Sequence, residues 1–227
     1  MWKAIFFDAA GTLIYLPQTV GVHYREVGLR HDFDLDAVAL DKAFKAVWKA
    51  MPARPSIRTA RPCDDRLWWR ELVFRVLDQV DAPDYRRDLY FDDLYEHFRN
   101  PFVWAVYPEV TATVVRLARK YRLAIVSNFD GRLRNVLAGH GLLKFFDHIV
   151  ISSEIGADKP DQAIFYEAIK RMGVPAHQTL HVGDDPQRDW AGAEAVGITA
   201  FRLKRPKVTL KELEEFVAQP PLRLVVE

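Results

Sequence analysis

Three polar side chains, Asp8, Ser127 and Asp184, stand at the ends of short apolar runs, and Lys159 lies in the loop after another such run. Together they make a set able to transfer a phosphoryl group. A carboxylate can attack phosphorus, a hydroxyl and an ammonium can hold the non-bridging oxygens, and a second carboxylate can share Mg²⁺ with the first. The cation would shield the attacking Asp8 from the charge of the phosphate. Taken singly, each residue reads equally well as a turn or cap residue. Four in chain order, each after its own run, point to a site.

The runs read as strands. Residues 4–7, 123–126, 148–151, 180–182 and 198–201 are short and apolar, and from 109 onward they alternate with helical spacing over 109–120, 132–140, 161–172, 187–195 and 209–218. That alternation predicts an α/β fold, a Rossmann-like, doubly wound parallel sheet with helices on both faces. In such a sheet ligands bind beyond the carboxyl ends of the strands, where these polar residues fall. Between Pro17 and Pro101 there is no comparable run. Helical spacing over 34–51, 64–80 and 85–98, with a Pro-bearing loop over 52–62, predicts an inserted all-helical domain over 16–103. Residues 1–15 and 104–227 then form the α/β core.

Composition narrows the class. The 227 residues are 49% hydrophobic, enough for a sizeable core, and 32 basic side chains balance 31 acidic ones to a net charge of +1. No net field favours nucleic acid or an anionic membrane. Cys63 is the single cysteine, which excludes an intrachain disulfide. No apolar run approaches the ~20 residues that span a bilayer, and the N-terminus leaves no room for a signal-peptide core. A cytoplasmic, soluble protein is expected, as a monomer or a homodimer.

The motifs Asp8-Ala9-Ala10-Gly11-Thr12-Leu13, Ile125-Val126-Ser127-Asn128, Lys159-Pro160-Asp161 and Gly183-Asp184-Asp185 with Asp189 resemble, in order, those of the haloacid dehalogenase-like (HAD) hydrolases. The helical insert matches the position of that family's cap. Trp68-Trp69, Ser127-Asn128-Phe129-Asp130 and His181-Val182-Gly183-Asp184 are similar to the branch of rhythmically expressed gene-type proteins. The resemblance implies a Mg²⁺-dependent phosphatase acting on a small phosphorylated metabolite. Asp8 would be the nucleophile forming an aspartyl-phosphate, and Lys159 would neutralise charge. Ser127, with Thr12 and Asn128, would bind substrate. Asp8, Asp184 and the backbone carbonyl of Ala10 would hold the metal, with Asp185 and Asp189 behind them.

One position departs from the family's pattern. Its phosphatases carry a second Asp two residues after the nucleophile, as acid and then base; here that residue is Ala10. Such acid–base work is worth ~10²–10⁴-fold. Three alternatives follow: the substrate carries an aryl or acyl leaving group that needs no proton; Asp130, or behind it His23 or Tyr24, substitutes; or the site binds phosphate with little turnover. Two neighbouring chemistries also lack this Asp. Haloacid dehalogenases usually place Tyr there and lack the Gly-Asp-Asp motif. Phosphonoacetaldehyde hydrolases carry Ala and need a cap lysine, for which Lys42, Lys45 and Lys49 are the candidates. In the insert, Arg54, Arg58 or Arg61 could meet an anionic substrate tail, or pair with nearby acids. Adjacent residues diverge on a helix, so one of Trp68 and Trp69 belongs to the cap core and the other to the core domain or a partner.

Overall fold

The computed structural model describes residues 1–218. The chain begins with β1 (Ala4–Phe7), whose four residues are all buried. After β2 (Ile14–Tyr15) come four helices, α1 (Val20–Leu29), α2 (Ala37–Ala50), α3 (Arg66–Asp78) and α4 (Arg87–His97). The chain returns through β3 (Ala105–Val106) and α5 (Val110–Ala118) to β4 (Arg122–Ser127), then α6 (Arg132–Gly139), β5 (His148–Ile151), α7 (Ser152–Ile155) and α8 (Gln162–Met172). It ends with β6 (Thr179–Gly183), a π-helical turn (Pro186–Ala191), α9 (Gly192–Glu194), β7 (Thr199–Arg202) and α10 (Leu210–Ala218).

Five strands form one parallel sheet in the order β5-β4-β1-β6-β7. Alternate residues of β1 point to opposite faces, as the period-2 geometry of a strand requires. Ile5 and Phe7 enter an apolar layer with α5, α6 and α10, while Ala4 and Phe6 enter another with α8 and α9. Burial on both faces is why these strands read as unbroken apolar runs. Register then sets the site: Phe7 lies beside Ile125 of β4 and Val182 of β6, so Asp8, Ser127 and Asp184 leave the sheet within a residue of one another.

The four inserted helices bury their apolar stripes on each other, with Tyr24, Leu40, Val47, Leu72, Val76 and Tyr90 in a separate cluster. Asp36 starts α2 as its cap, accepting from the Ala39 N–H at 2.7 Å. The passages into and out of the insert pair as the antiparallel ribbon β2–β3, where Ile14 lies opposite Val106, and Tyr15 stacks on Tyr107 at 4.5 Å. Strands of two residues have no periodicity to read, so no sequence signal announces them. The helix expected over 187–195 is a π-helical turn followed by α9. Its geometry turns Asp189 inward while the Trp190 indole donates to the Gly183 carbonyl at 2.8 Å. Among the described residues, no helix is long and apolar enough to cross a membrane.

Candidate active site

Asp8, just beyond β1, is 9% exposed. The Ser127 hydroxyl donates to its Oδ1 at 2.7 Å, and the Lys159 ammonium approaches the same oxygen at 2.8 Å. Lys159 also donates to Asp189 Oδ1 at 2.5 Å. Asp189 is enclosed further: the buried His181 ring meets Oδ1 through Nε2 at 2.9 Å, and the Asp185 N–H donates to Oδ2 at 3.1 Å. Burial alone would raise the Asp189 carboxyl, but Lys159 and His181 reverse this and hold it well below the usual carboxylate range. Burial would likewise lower Lys159, yet Asp8 and Asp189 hold it above its ordinary value, so the ammonium stays charged.

Two glycines make room for this packing. Gly11 sits at φ +83°, and a Cβ there would lie 2.6 Å from Asp184 Oδ2. A Cβ on Gly183 would lie 2.2 Å from Asp189 Cγ. Asn128 ties down the loop that carries Lys159: its Oδ1 accepts from the Lys159 N–H at 2.6 Å and its Nδ2 donates to the Lys159 carbonyl at 2.9 Å. Asp185 caps the π-helical turn, its Oδ1 accepting from the N–H groups of Gln187 and Arg188.

The carboxylates of Asp8, Asp184 and Asp189 offer oxygens within 4.8 Å of one another. Burial, then the charges of Asp8 and Asp189, push the Asp184 carboxyl up to about 6. Crowded acid oxygens of this kind suit a hard divalent cation such as Mg²⁺. Asp189 already has its oxygens bound by protein donors, so Asp8 and Asp184 are the pair fitted to hold one.

Above the cluster lies a cavity of about 330 Å³. Asp8, Ala10, Ser127, Asn128, Lys159 and Asp184 line its floor, and the insert supplies the opposite wall, chiefly Tyr24, Phe44, Trp48, Trp69, Phe91 and Tyr95. The structure thus brings Asp8, Ala10, Ser127, Asn128, Lys159, Asp184, Asp185 and Asp189 to one cavity, and it separates others expected to join them. Thr12 is fully buried and is not among the lining residues. Asp130 also lies off the cavity wall. Its carboxylate is fully buried, paired with Arg132 at 2.6 and 2.8 Å, and accepts from the Trp69 indole at 2.8 Å. His23 faces a different surface groove, 3.1 Å from His97.

The basic loop of the insert does not reach the cavity either. Arg54 and Arg61 both pair with Asp65 of the insert and Asp158 of the core, at 2.8–3.3 Å. Lys42, Lys45 and Lys49 are exposed, and none lines the cavity. Of the two tryptophans, Trp69 is the one that reaches the core domain, through Asp130. Trp68 stays with the insert and donates to the Pro52 carbonyl at 3.2 Å. Two residues of the site were given no role from sequence, Arg132 and His181. His181 does interrupt an apolar strand, the one signal that marks it. Arg132 carries none, because its partner Asp130 reads as a turn residue.

A family model for haloacid dehalogenase-like hydrolases matches residues 2–197. The chain belongs to this family. Among haloacid dehalogenase-like hydrolases, the domain-containing protein 3 of Bos taurus is 34% identical over 221 residues, covering 96% of this chain and 88% of that one. Rhythmically expressed gene 2 protein of Drosophila melanogaster is 28% identical over 210 residues, covering 86% and 80%, in line with the branch its motifs resemble. A solved HAD phosphatase from Thermococcus onnurineus matches with a TM-score of 0.68 and 25% identity, over 95% of this chain and 97% of that one.

Proposed function

We propose that this HAD-like hydrolase is a Mg²⁺-dependent phosphatase that takes a small phosphorylated molecule and forms an aspartyl-phosphate on Asp8. One observation carries the reading. Ser127 and Lys159 both engage Oδ1 of Asp8 and, among the described residues, no protein group donates to Oδ2. A carboxylate fixed by one oxygen, with the other free at the floor of a cavity, suits nucleophilic attack and supports this reading. A phosphate entering there would meet the Lys159 ammonium and the Ser127 hydroxyl, which can leave Asp8 for its non-bridging oxygens.

Asp189 and His181 keep the ammonium charged and fixed in place. Mg²⁺, when held by Asp8, Asp184 and the Ala10 carbonyl, would offset the charge between nucleophile and phosphate. Solved haloacid dehalogenases share this fold too, but the phosphatase named in one solved relative agrees with this reading. So does Asp184, for which halide displacement has no use. A Schiff-base route needs a lysine from the insert, and none of Lys42, Lys45 and Lys49 lines the cavity. The test is phosphate release from acetyl phosphate and para-nitrophenyl phosphate, with and without Mg²⁺. Release that needs Mg²⁺ and disappears in Asp8→Asn is expected; equal release by Asp8→Asn overturns the proposal.

A further inference from the structure

The leaving-group side of the cavity is poor in proton donors and rich in aromatic surface. In-line attack by Asp8 drives the departing oxygen away from the floor, toward the insert. Apart from Asp8, Asp184, Asp185 and Asp189, no carboxyl or imidazole among the described residues lines the cavity. Asp130 is locked to Arg132, and His23 faces elsewhere. Tyr24 is a poor substitute, because burial raises its hydroxyl well above the ordinary range.

Three of the strongest donors on that wall are consumed by the protein. The Arg132 guanidinium is spent on Asp130 and on the Tyr95 carbonyl, the Trp69 indole on Asp130, and the Trp104 indole on the Phe98 carbonyl. The Trp48 indole and the Tyr24 and Tyr95 hydroxyls have no protein partner among the described residues, and Arg188 meets Asp185 only at 3.9 Å, but most of that wall is aromatic surface from Phe44, Trp69, Phe91, Phe98 and Phe129. The hydroxyls of a sugar or polyol phosphate would outnumber those partners, and each one buried without a partner carries a cost.

We infer that the substrate class of this site is the phosphate monoester of an aromatic alcohol, an inference that rests on the phosphatase reading above. A phenolate is a far weaker base than an alkoxide: phenols ionise near pH ~10, whereas water ionises at ~15.7. It therefore departs without a proton. In the first step Asp8 Oδ2 bonds to phosphorus, and the P–O(aryl) bond breaks with its electron pair on the phenolate, which takes a proton from solvent. In the second, water attacks the aspartyl-phosphate, Asp8 recovers its carboxylate, and phosphate and a proton are released. The aryl ring meanwhile lies against the aromatic wall, offset or edge-on, as such rings pair.

The test compares kcat/KM for acetyl, 2-naphthyl, phenyl, cyclohexylmethyl and glycerol phosphates in the full chain with Mg²⁺. Cyclohexylmethyl phosphate matches the aryl esters in apolarity and differs in leaving group. The aryl esters are expected to exceed it by about 10²-fold or more, and 2-naphthyl phosphate to exceed phenyl phosphate by about tenfold through its larger apolar surface. Ala10→Asp, by restoring a carboxyl at that position, should shrink the aryl-to-alkyl ratio by at least about tenfold. If acetyl phosphate is hydrolysed through Asp8 while cyclohexylmethyl or glycerol phosphate matches the aryl esters, the aryl inference is overturned and the phosphatase reading survives. If folded protein releases phosphate from none of the five, both fall.

Discussion

The two walls of the cavity solve opposite problems with the same kinds of side chain. On the floor, Lys159 joins two carboxylates, but Asp8 keeps one oxygen unbound and Asp184 stays exposed, so charge remains available to a ligand. Facing the insert, the core residues Arg132 and Asp130 form an equally buried pair that bonds to itself, to Trp69 and to the Tyr95 carbonyl. The Arg132 guanidinium sits 3.7 Å over the Tyr95 ring and 5.2 Å from that of Trp69. Burial alone would lower Arg132, and Asp130 holds it above its ordinary value. A buried ion pair can therefore present chemistry or stop it from being presented, depending on whether its lone pairs are all spent.

The contrast is sharpest at the nucleophile. Asp8→Asn should lower phosphate release by about 10⁴-fold or more while leaving the fold intact, as single-turnover assays and thermal melts would show. Lys159→Met tests the floor pair differently, since it strands Asp8 and Asp189 together. Breaking a buried pair costs about 3–5 kcal/mol, so a large loss of stability at neutral pH is expected in denaturant titrations. Because Asp189 is depressed in the fold, the stability it supplies is present above the ordinary carboxylate pKa and is lost as pH falls through its folded value. The penalty of Lys159→Met should thus shrink in acid.

On the other wall, Asp130→Asn should cost about 3 kcal/mol by leaving Arg132 unpaired. The pH dependence of kcat should keep its shape. A lost acidic limb would instead make Asp130 a proton carrier and erase the distinction between the walls. Mg²⁺ should raise the melting temperature above pH 6 and do so less below it, because protonation of Asp184, lifted to about 6, competes with the cation. A surface pair sets the lower bound: Arg25 and Asp34, 3.0 Å apart, are 47% and 77% exposed, and Arg25→Ala should cost under about 1 kcal/mol.

Much of this was legible from sequence for a definite reason. Strands buried on both faces write themselves as apolar runs, and the ends of β1, β4 and β6 locate Asp8, Ser127 and Asp184. Lys159 and Asp189 follow from motif order. What could not be read is direction. Asp130 follows Ser127 as closely as a site residue might, yet Arg132, two residues on, turns it away from the cavity. Thr12 lies in the same motif as Asp8 but folds under it. Arg54 and Arg61 read either as anion receptors or as partners of nearby acids; they pair with Asp65, as the second reading has it, and also with Asp158, about a hundred residues distant. Long-range pairing leaves no local periodicity, so such partners appear only in three dimensions.

The side-chain amide of Asn128 pairs with both backbone groups of Lys159, accepting from its N–H and donating to its carbonyl. It acts as one more rung of a ladder after β4 has ended. The loop beyond β5 is thereby indexed to the sheet, and the ammonium it carries borrows the stiffness of a strand. A loop so anchored can change in length or composition away from that rung, and the distance from Lys159 to Asp8 need not change with it.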